Sequence, residues 1–138
     1  MSLRSRAREI AMQALYQIEM HPGADAAGIE RFLVGRLRQP ALVRFAKELV
    51  DGVRANLTEI DAALDARAEN WRVSRMAATD RTILRLAVFE MRHTDTPAPV
   101  AVDQAIELAK RYGSGSSGRF VAGILGRMLA DRETTRTE

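Results

Sequence analysis

Two clusters of side chains in this sequence have the chemistry to bind a phosphate-bearing ligand. Arg4, Arg6 and Arg8 fall within the first eight residues, and arginine binds phosphate through a planar, bidentate guanidinium group. The second cluster is the pair Arg119-Phe120, which follows a segment rich in glycine and serine. A cation beside an aromatic ring holds single-stranded RNA by combining charge with base stacking. Both clusters therefore favour a nucleic-acid ligand.

Each cluster also has a purely structural interpretation. Burial in a core explains Phe120 as well as base stacking does, and Ser117 is a candidate helix cap. Ser116 and Ser117 can donate hydrogen bonds to an RNA phosphate, but their segment lacks the lysine and the preceding strand of a nucleotide-binding P-loop. The formal net charge is only +3, so a solvated, arginine-rich surface explains the composition without any ligand.

Groups suited to catalysis or metal binding are scarce. The sequence contains no cysteine, which excludes disulfides, thiolate zinc sites and cysteine nucleophiles. His21 and His93 are far apart and lie near predicted helix ends, where histidine favours the helix dipole. Most of the acidic residues between Glu48 and Glu69 fit the solvated side of a predicted helix. We therefore expect no catalytic residue, no metal and no cofactor, and a protein that is not an enzyme.

Helical periodicity of the apolar residues covers most of the chain, and no segment shows the alternation typical of a strand. The longest pattern, from Leu42 to Leu64, predicts one helix of about six turns that forms the spine of the fold. On the first helix, Arg4 and Arg8 would share one flank, whereas an extended start of the chain would free the arginines to reach phosphates. The other predicted helices run from Ala7 to a point before His21, from about Asp25 to Leu37, from a cap at Thr79 or Asp80 to Met91, from Pro99 to Tyr112, and onward from Ser117.

The predicted helices form one domain over residues 1–138. Its N-terminal helical half spans about 4–70 and its C-terminal half about 71–131. No apolar run approaches the roughly 20 residues that cross a bilayer, and charged residues interrupt the first 20 positions. We expect a cytoplasmic protein that does not bind membranes.

Three separated stretches, at residues 4–16, 80–90 and 100–129, together resemble the NusB family in order and spacing. The resemblance implies an all-α fold of about seven helices packed as two small subdomains. It also implies a transcription antitermination factor that binds the boxA segment of ribosomal RNA leader transcripts, a single-stranded RNA, together with the ribosomal protein NusE. The expected wider partner is the transcription elongation complex, and the expected oligomeric state is a monomer or a homodimer.

The resemblance also implies which residues contact RNA. The arginine-rich start, a tyrosine on the first helix and the basic-aromatic pair match family motifs, and two further positions fall near the same surface. The full set is Arg4, Arg6, Arg8, Tyr16, Asp80, Ser116, Arg119 and Phe120.

Several positions depart from the family pattern. Ser5 stands where a basic residue is common, Ser116 where aspartate is frequent, and Ala122 where asparagine is usual. Asp103-Gln104 replaces a frequent asparagine-glutamate pair. These changes bear on affinity for RNA and for the partner more than on the fold.

Two alternatives remain open at this point. One is a helical protein-protein interaction module or dimer whose arginines only confer solubility. The other is an accessory domain, because the same fold occurs fused ahead of RNA methyltransferase domains. The chain stops at Glu138 without room for a cofactor-binding domain, which argues against independent methylation.

Overall fold

The fold is all-α, as the sequence predicts. The computed structural model describes residues 2–68 and 70–137, and the side chains as far as residue 132. This part of the chain contains seven α-helices, one short 3-10 helix and no strand. The helices are α1 (Leu3–Met20), α2 (Ala26–Leu37), α3 (Pro40–Ala55), α4 (Leu57–Arg67), α5 (Ala78–His93), α6 (Ala98–Tyr112) and α7 (Ser117–Thr137), with the 3-10 helix at Val73–Arg75.

The chain divides into two compact units, Met1–Ala55 and Asn56–Glu138. In unit 1, helix α1 packs against α3 and α2, and α2 packs against α3. In unit 2, helix α5 packs against α4, α6 and α7. The boundary between the two units lies after Ala55, whereas the sequence predicts it near residue 70.

The prediction of a single long helix from Leu42 to Leu64 is wrong. Helix α3 ends at Ala55, Asn56 adopts a non-helical φ of −112° and ψ of 20°, and α4 begins at Leu57. Asparagine is a weak helix former because its side chain competes for backbone hydrogen bonds. Leu57, which the apolar stripe included, is 37% exposed. The division into two units falls at this break.

The start of α5 also differs from its prediction. Thr79 and Asp80 lie inside the first turn, because the helix begins at Ala78 and Ala77 occupies the cap position without a side-chain hydrogen bond. An acidic side chain in this position is favourable because it faces the positive end of the helix dipole. Asp80 is therefore held on regular helix in unit 2.

Helix α5 is the central element of unit 2. Nearly every residue from Thr82 to Met91 is buried, with only Arg85 partly exposed. The Arg85 guanidinium donates two hydrogen bonds of 2.8 Å to the Asp61 carboxylate on α4. This bidentate pair, together with apolar burial, fixes the helix that carries Asp80.

Candidate RNA-binding surfaces

The first candidate surface lies at the start of α1. The chain there is helical and not extended, since Ser2 caps the helix by accepting a hydrogen bond of 3.0 Å from the Ser5 amide. The guanidinium of Arg4 lies 4.3 Å from the centre of the Phe45 ring, and that of Arg8 lies 5.4 Å from the same point. Residues four apart share a helix face, so both cations meet one aromatic side chain of α3.

The three N-terminal arginines differ in their environment. Arg4 is exposed, whereas Arg8 is only 4% exposed. Arg6 forms an ion pair with Glu9, one turn further along α1, and its side chain is 45% exposed. Arg4 and Arg6 are therefore accessible to a ligand, and Arg8 is held in the interior against Phe45.

Tyr16 lies three turns after Arg4 on α1 and is 37% exposed. At a rise of about 1.5 Å per residue, the backbones of the two residues are roughly 18 Å apart along the helix axis. The predicted residues of unit 1 are thus spread along one helix and do not form a compact pocket.

The second candidate surface is a cavity of about 570 Å³ in unit 2. All four RNA-contacting residues predicted in this half line the cavity, although they come from two separate stretches of the chain. Arg119 and Ser116 are exposed, and Phe120 is half-buried. The cavity is lined by Trp71, Met76, Ala77, Asp80, Ser116, Arg119 and Phe120.

A hydrogen-bonded turn positions one side of this cavity. Ser117 is the first residue of α7, and its buried hydroxyl accepts a hydrogen bond of 2.9 Å from the Ser114 amide. The Phe120 amide donates to the Ser116 carbonyl at 3.0 Å, which gives Ser116 the cap position predicted for Ser117. The turn therefore fixes where Ser116, Arg119 and Phe120 stand.

Gly113 is the tightest point of this turn, and replacing it with alanine should destabilise the protein. A Cβ atom there would overlap the Ser117 side chain and lie 2.8 Å from the carbonyl oxygen of Ala109. We expect Gly113→Ala to lower the free energy of unfolding by about 2 kcal/mol, as overpacking does. Urea unfolding measures this change. Gly115→Ala is the control because no atom lies within 4 Å of its added Cβ; equal stability of the two variants would contradict the packing argument.

One polar atom of the cavity wall has no partner. The Oδ1 atom of Asp80 is buried and accepts no hydrogen bond. Buried polar groups in folded proteins are nearly always paired, so this oxygen is an exception among the buried polar atoms of the described side chains.

Two residues of these surfaces, Trp71 and Phe45, are not among those predicted from the sequence. Trp71 is the only tryptophan of the chain and is 53% exposed; a lone tryptophan in a segment without helical periodicity was the available signal. Phe45 falls within the apolar pattern from Leu42 to Leu64, which indicates a buried helix face and no contact with arginine. Its position beneath two guanidinium groups is visible only in the folded chain.

Neither histidine stands in a cluster suited to metal binding. His93 stacks on Phe89 with ring centres 5.5 Å apart, and its Nε2 lies 3.2 Å from a Glu59 carboxylate oxygen. Among the described residues, no group of three or more histidine or acidic side chains is placed to hold a metal ion. No helix in the described part of the chain is both long and apolar enough to cross a membrane.

Comparison with known proteins identifies the family. The model of the NusB family matches residues 5–130. The "Transcription antitermination protein NusB" of Anaeromyxobacter dehalogenans is 45% identical over 132 residues, which is 94% of this chain and 92% of the relative. The protein of the same name from Saccharopolyspora erythraea is 40% identical and covers 96% of this chain and 91% of its own.

Solved structures agree with these relatives. T. maritima NusB is 37% identical, with a TM-score of 0.79 over 90% of this chain and 88% of that one. A structure of antitermination factors NusB and NusE in complex with dsRNA has a TM-score of 0.83 over 95% of this chain and 98% of that one, and at 23% identity it shows the fold alone. The resemblance of the three sequence motifs is thereby confirmed. With this family match and these relatives along nearly its whole length, the chain belongs to the NusB family.

Proposed function

We propose that this protein is a transcription antitermination factor that binds a boxA-type single-stranded RNA together with NusE and so helps RNA polymerase read through terminators. Membership of the NusB family supports the proposal, since the curated relatives carry the antitermination name. NusE accompanies NusB in the solved complex, and its role for this chain is part of the proposal. The protein would act by binding alone, without catalysis, in the cytoplasm where transcription takes place.

The observation that carries the proposal is the convergence of Asp80, Ser116, Arg119 and Phe120 on one cavity. An exposed guanidinium beside a half-buried ring offers charge for a phosphate and an apolar face for a base. Arg4 and Arg6 add accessible cations in unit 1. Arg8 packs against the same Phe45 ring that Arg4 contacts. Each unit thus contributes a surface suited to single-stranded RNA.

Fluorescence anisotropy tests the proposal directly. A labelled boxA-type RNA should bind about tenfold or more tightly than a scrambled RNA of equal length, and NusE should tighten binding of the boxA-type RNA further. The second effect follows from linkage, because two partners that favour the same bound state raise each other's affinity.

Equal, weak binding of both RNAs, unchanged by NusE, would refute the antitermination proposal. The protein would then be interpreted as a helical protein-protein interaction module, which is the alternative that the sequence leaves open. Light scattering on the same samples reports whether the protein is a monomer or a homodimer under the conditions of the assay.

A further inference from the structure

The start of α1 carries charges that the helix itself does not favour. Arg4 and Arg8 lie in its first two turns, and its first turn holds no acidic residue. The N-terminal end of a helix is partially positive, so cations there lower its stability. The two arginines are also four residues apart, a spacing at which like charges on a helix repel each other. Helix stability therefore does not explain why both cations are there.

The ring of Phe45, on α3, offsets this unfavourable charge. Phe45 is only 9% exposed, and the guanidinium groups of Arg4 and Arg8 lie 4.3 Å and 5.4 Å from the centre of its ring. The face of an aromatic ring carries partial negative charge and attracts cations. One buried side chain therefore stabilises two arginines that repel each other.

Contact with a ring leaves the charge of Arg4 available to a ligand. A neutral ring adds no negative charge, whereas the carboxylate of Glu9 partly cancels the charge of Arg6. Arg4 is exposed, and Arg8 is only 4% exposed. Of the two arginines that contact the ring, Arg4 is thus the one that can reach a phosphate.

We propose that Phe45 is a positioning residue for RNA binding: its ring holds the Arg4 guanidinium at the surface of unit 1, where the guanidinium binds a phosphate. Phe45 acts through Arg4 and does not itself touch the RNA. Because α1 packs against α3, this placement of Arg4 depends on a helix that contributes no predicted RNA contact. The inference rests on the proposed function, since it assigns a cause to the geometry of one of the two RNA surfaces.

A double-mutant cycle on the full chain tests whether Phe45 acts through Arg4. The Kd for labelled boxA-type RNA is measured by anisotropy for the unmodified protein, for Arg4→Gln, for Phe45→Leu and for the double variant. We expect Arg4→Gln to raise the Kd about fivefold, through loss of one phosphate contact. Phe45→Leu should raise it about threefold, which corresponds to the strength of an exposed cation–π contact.

The double variant should bind no more weakly than Arg4→Gln alone, because the ring has no cation to position once Arg4 is replaced. A purely structural role of Phe45 gives a different result. A general shift of α1 would also move Arg6 and Tyr16, so Phe45→Leu would then weaken binding in the Arg4→Gln background as well. Independent effects of about fivefold and threefold would multiply to about 15-fold in the double variant.

Two further substitutions assign the effect to the ring. Phe45→Tyr keeps an aromatic face and should retain the affinity of the unmodified protein to within about twofold. Phe32→Leu is the matched control, because it removes a ring of the same unit that also has a guanidinium over it, that of Arg36 at 5.1 Å, but lies outside both candidate surfaces. Its Kd should be unchanged. Phe45→Met repeats the cycle if Phe45→Leu unfolds, since both keep an apolar side chain at the buried position.

Nuclear magnetic resonance reports the contact without RNA, because an aromatic ring shifts the resonances of protons above its face. The side-chain protons of Arg4 should be shifted upfield in the unmodified protein and should return to ordinary values in Phe45→Leu. Absence of this shift would overturn the inference. Circular dichroism and urea unfolding verify that each variant is folded under the conditions of the assay.

The outcomes separate this inference from the proposed function. If boxA-type RNA binds preferentially but the effects of Phe45→Leu and Arg4→Gln multiply, or Phe45→Leu has no effect, the inference is overturned alone. The same holds if Phe32→Leu weakens binding as much as Phe45→Leu does. Failure of the unmodified protein to bind any RNA would remove the proposed function and the inference with it.

Discussion

Replacing Arg4, Arg6 and Arg119 together with glutamine is expected to raise the Kd for boxA-type RNA about 100-fold at roughly 0.1 M salt. Each contact with a single-stranded phosphate contributes about 0.7 to the slope of log K against log salt concentration, so loss of three contacts flattens this slope by about 2. Arg8 is left in place because it is only 4% exposed and lies against Phe45. Anisotropy titrations at four or more salt concentrations measure the slope.

A second triple variant controls for net charge. Arg31, Arg36 and Arg54 are exposed and lie outside both candidate surfaces, and their replacement by glutamine removes the same three charges. Glutamine and arginine have similar helix propensities, so circular dichroism should be unchanged for both variants. If the two triple variants flatten the slope equally, binding depends on overall charge and not on these surfaces.

Truncating the centre of α5 should give the largest loss of stability. Leu84 is fully buried, one turn after Asp80. We expect Leu84→Ala to lower the free energy of unfolding by about 3 kcal/mol, because it removes buried methyl groups and leaves a void. For a chain of this length, that change corresponds to a fall of about 10 °C in Tm.

The matched control for Leu84→Ala is Leu57→Ala at the start of α4. Leu57 is 37% exposed, so its truncation should cost less than about 1 kcal/mol. Urea unfolding followed by circular dichroism compares the two variants. A similar loss at both positions would mean that α5 is not the central element of unit 2.

Apolar spacing was enough to predict the helical class and most helices, because burial of one face imposes a period near 3.6 residues. The same spacing failed at Asn56, where the chain leaves the helix and re-enters it after a single residue. Leu57 continues the apolar spacing in the sequence although its side chain is exposed in the structure. The periodicity of apolar residues indicates which residues suit a helix face, but it cannot reveal a break of one residue.

Only part of the candidate site could be predicted from the spacing of residues in the sequence. Arg119 and Phe120 are adjacent in sequence, so their combination was visible without a structure. Trp71 and Asp80 reach the same cavity from an irregular segment and from another helix, and only tertiary packing brings them together. The environment of Arg8 likewise depends on Phe45, a residue 37 positions away in the sequence.

The two guanidinium groups over Phe45 have a consequence for the thermodynamics of binding. A free arginine side chain loses up to about 2 kcal/mol of rotamer entropy when it is immobilised. Arg4, which is accessible to RNA, already lies against the Phe45 ring that Arg8 also contacts, so the folded protein incurs much of this loss for Arg4 before any RNA arrives. An arginine-rich start that is helical and packs against an aromatic ring should therefore bind RNA with a smaller entropic penalty than a flexible basic tail of the same charge.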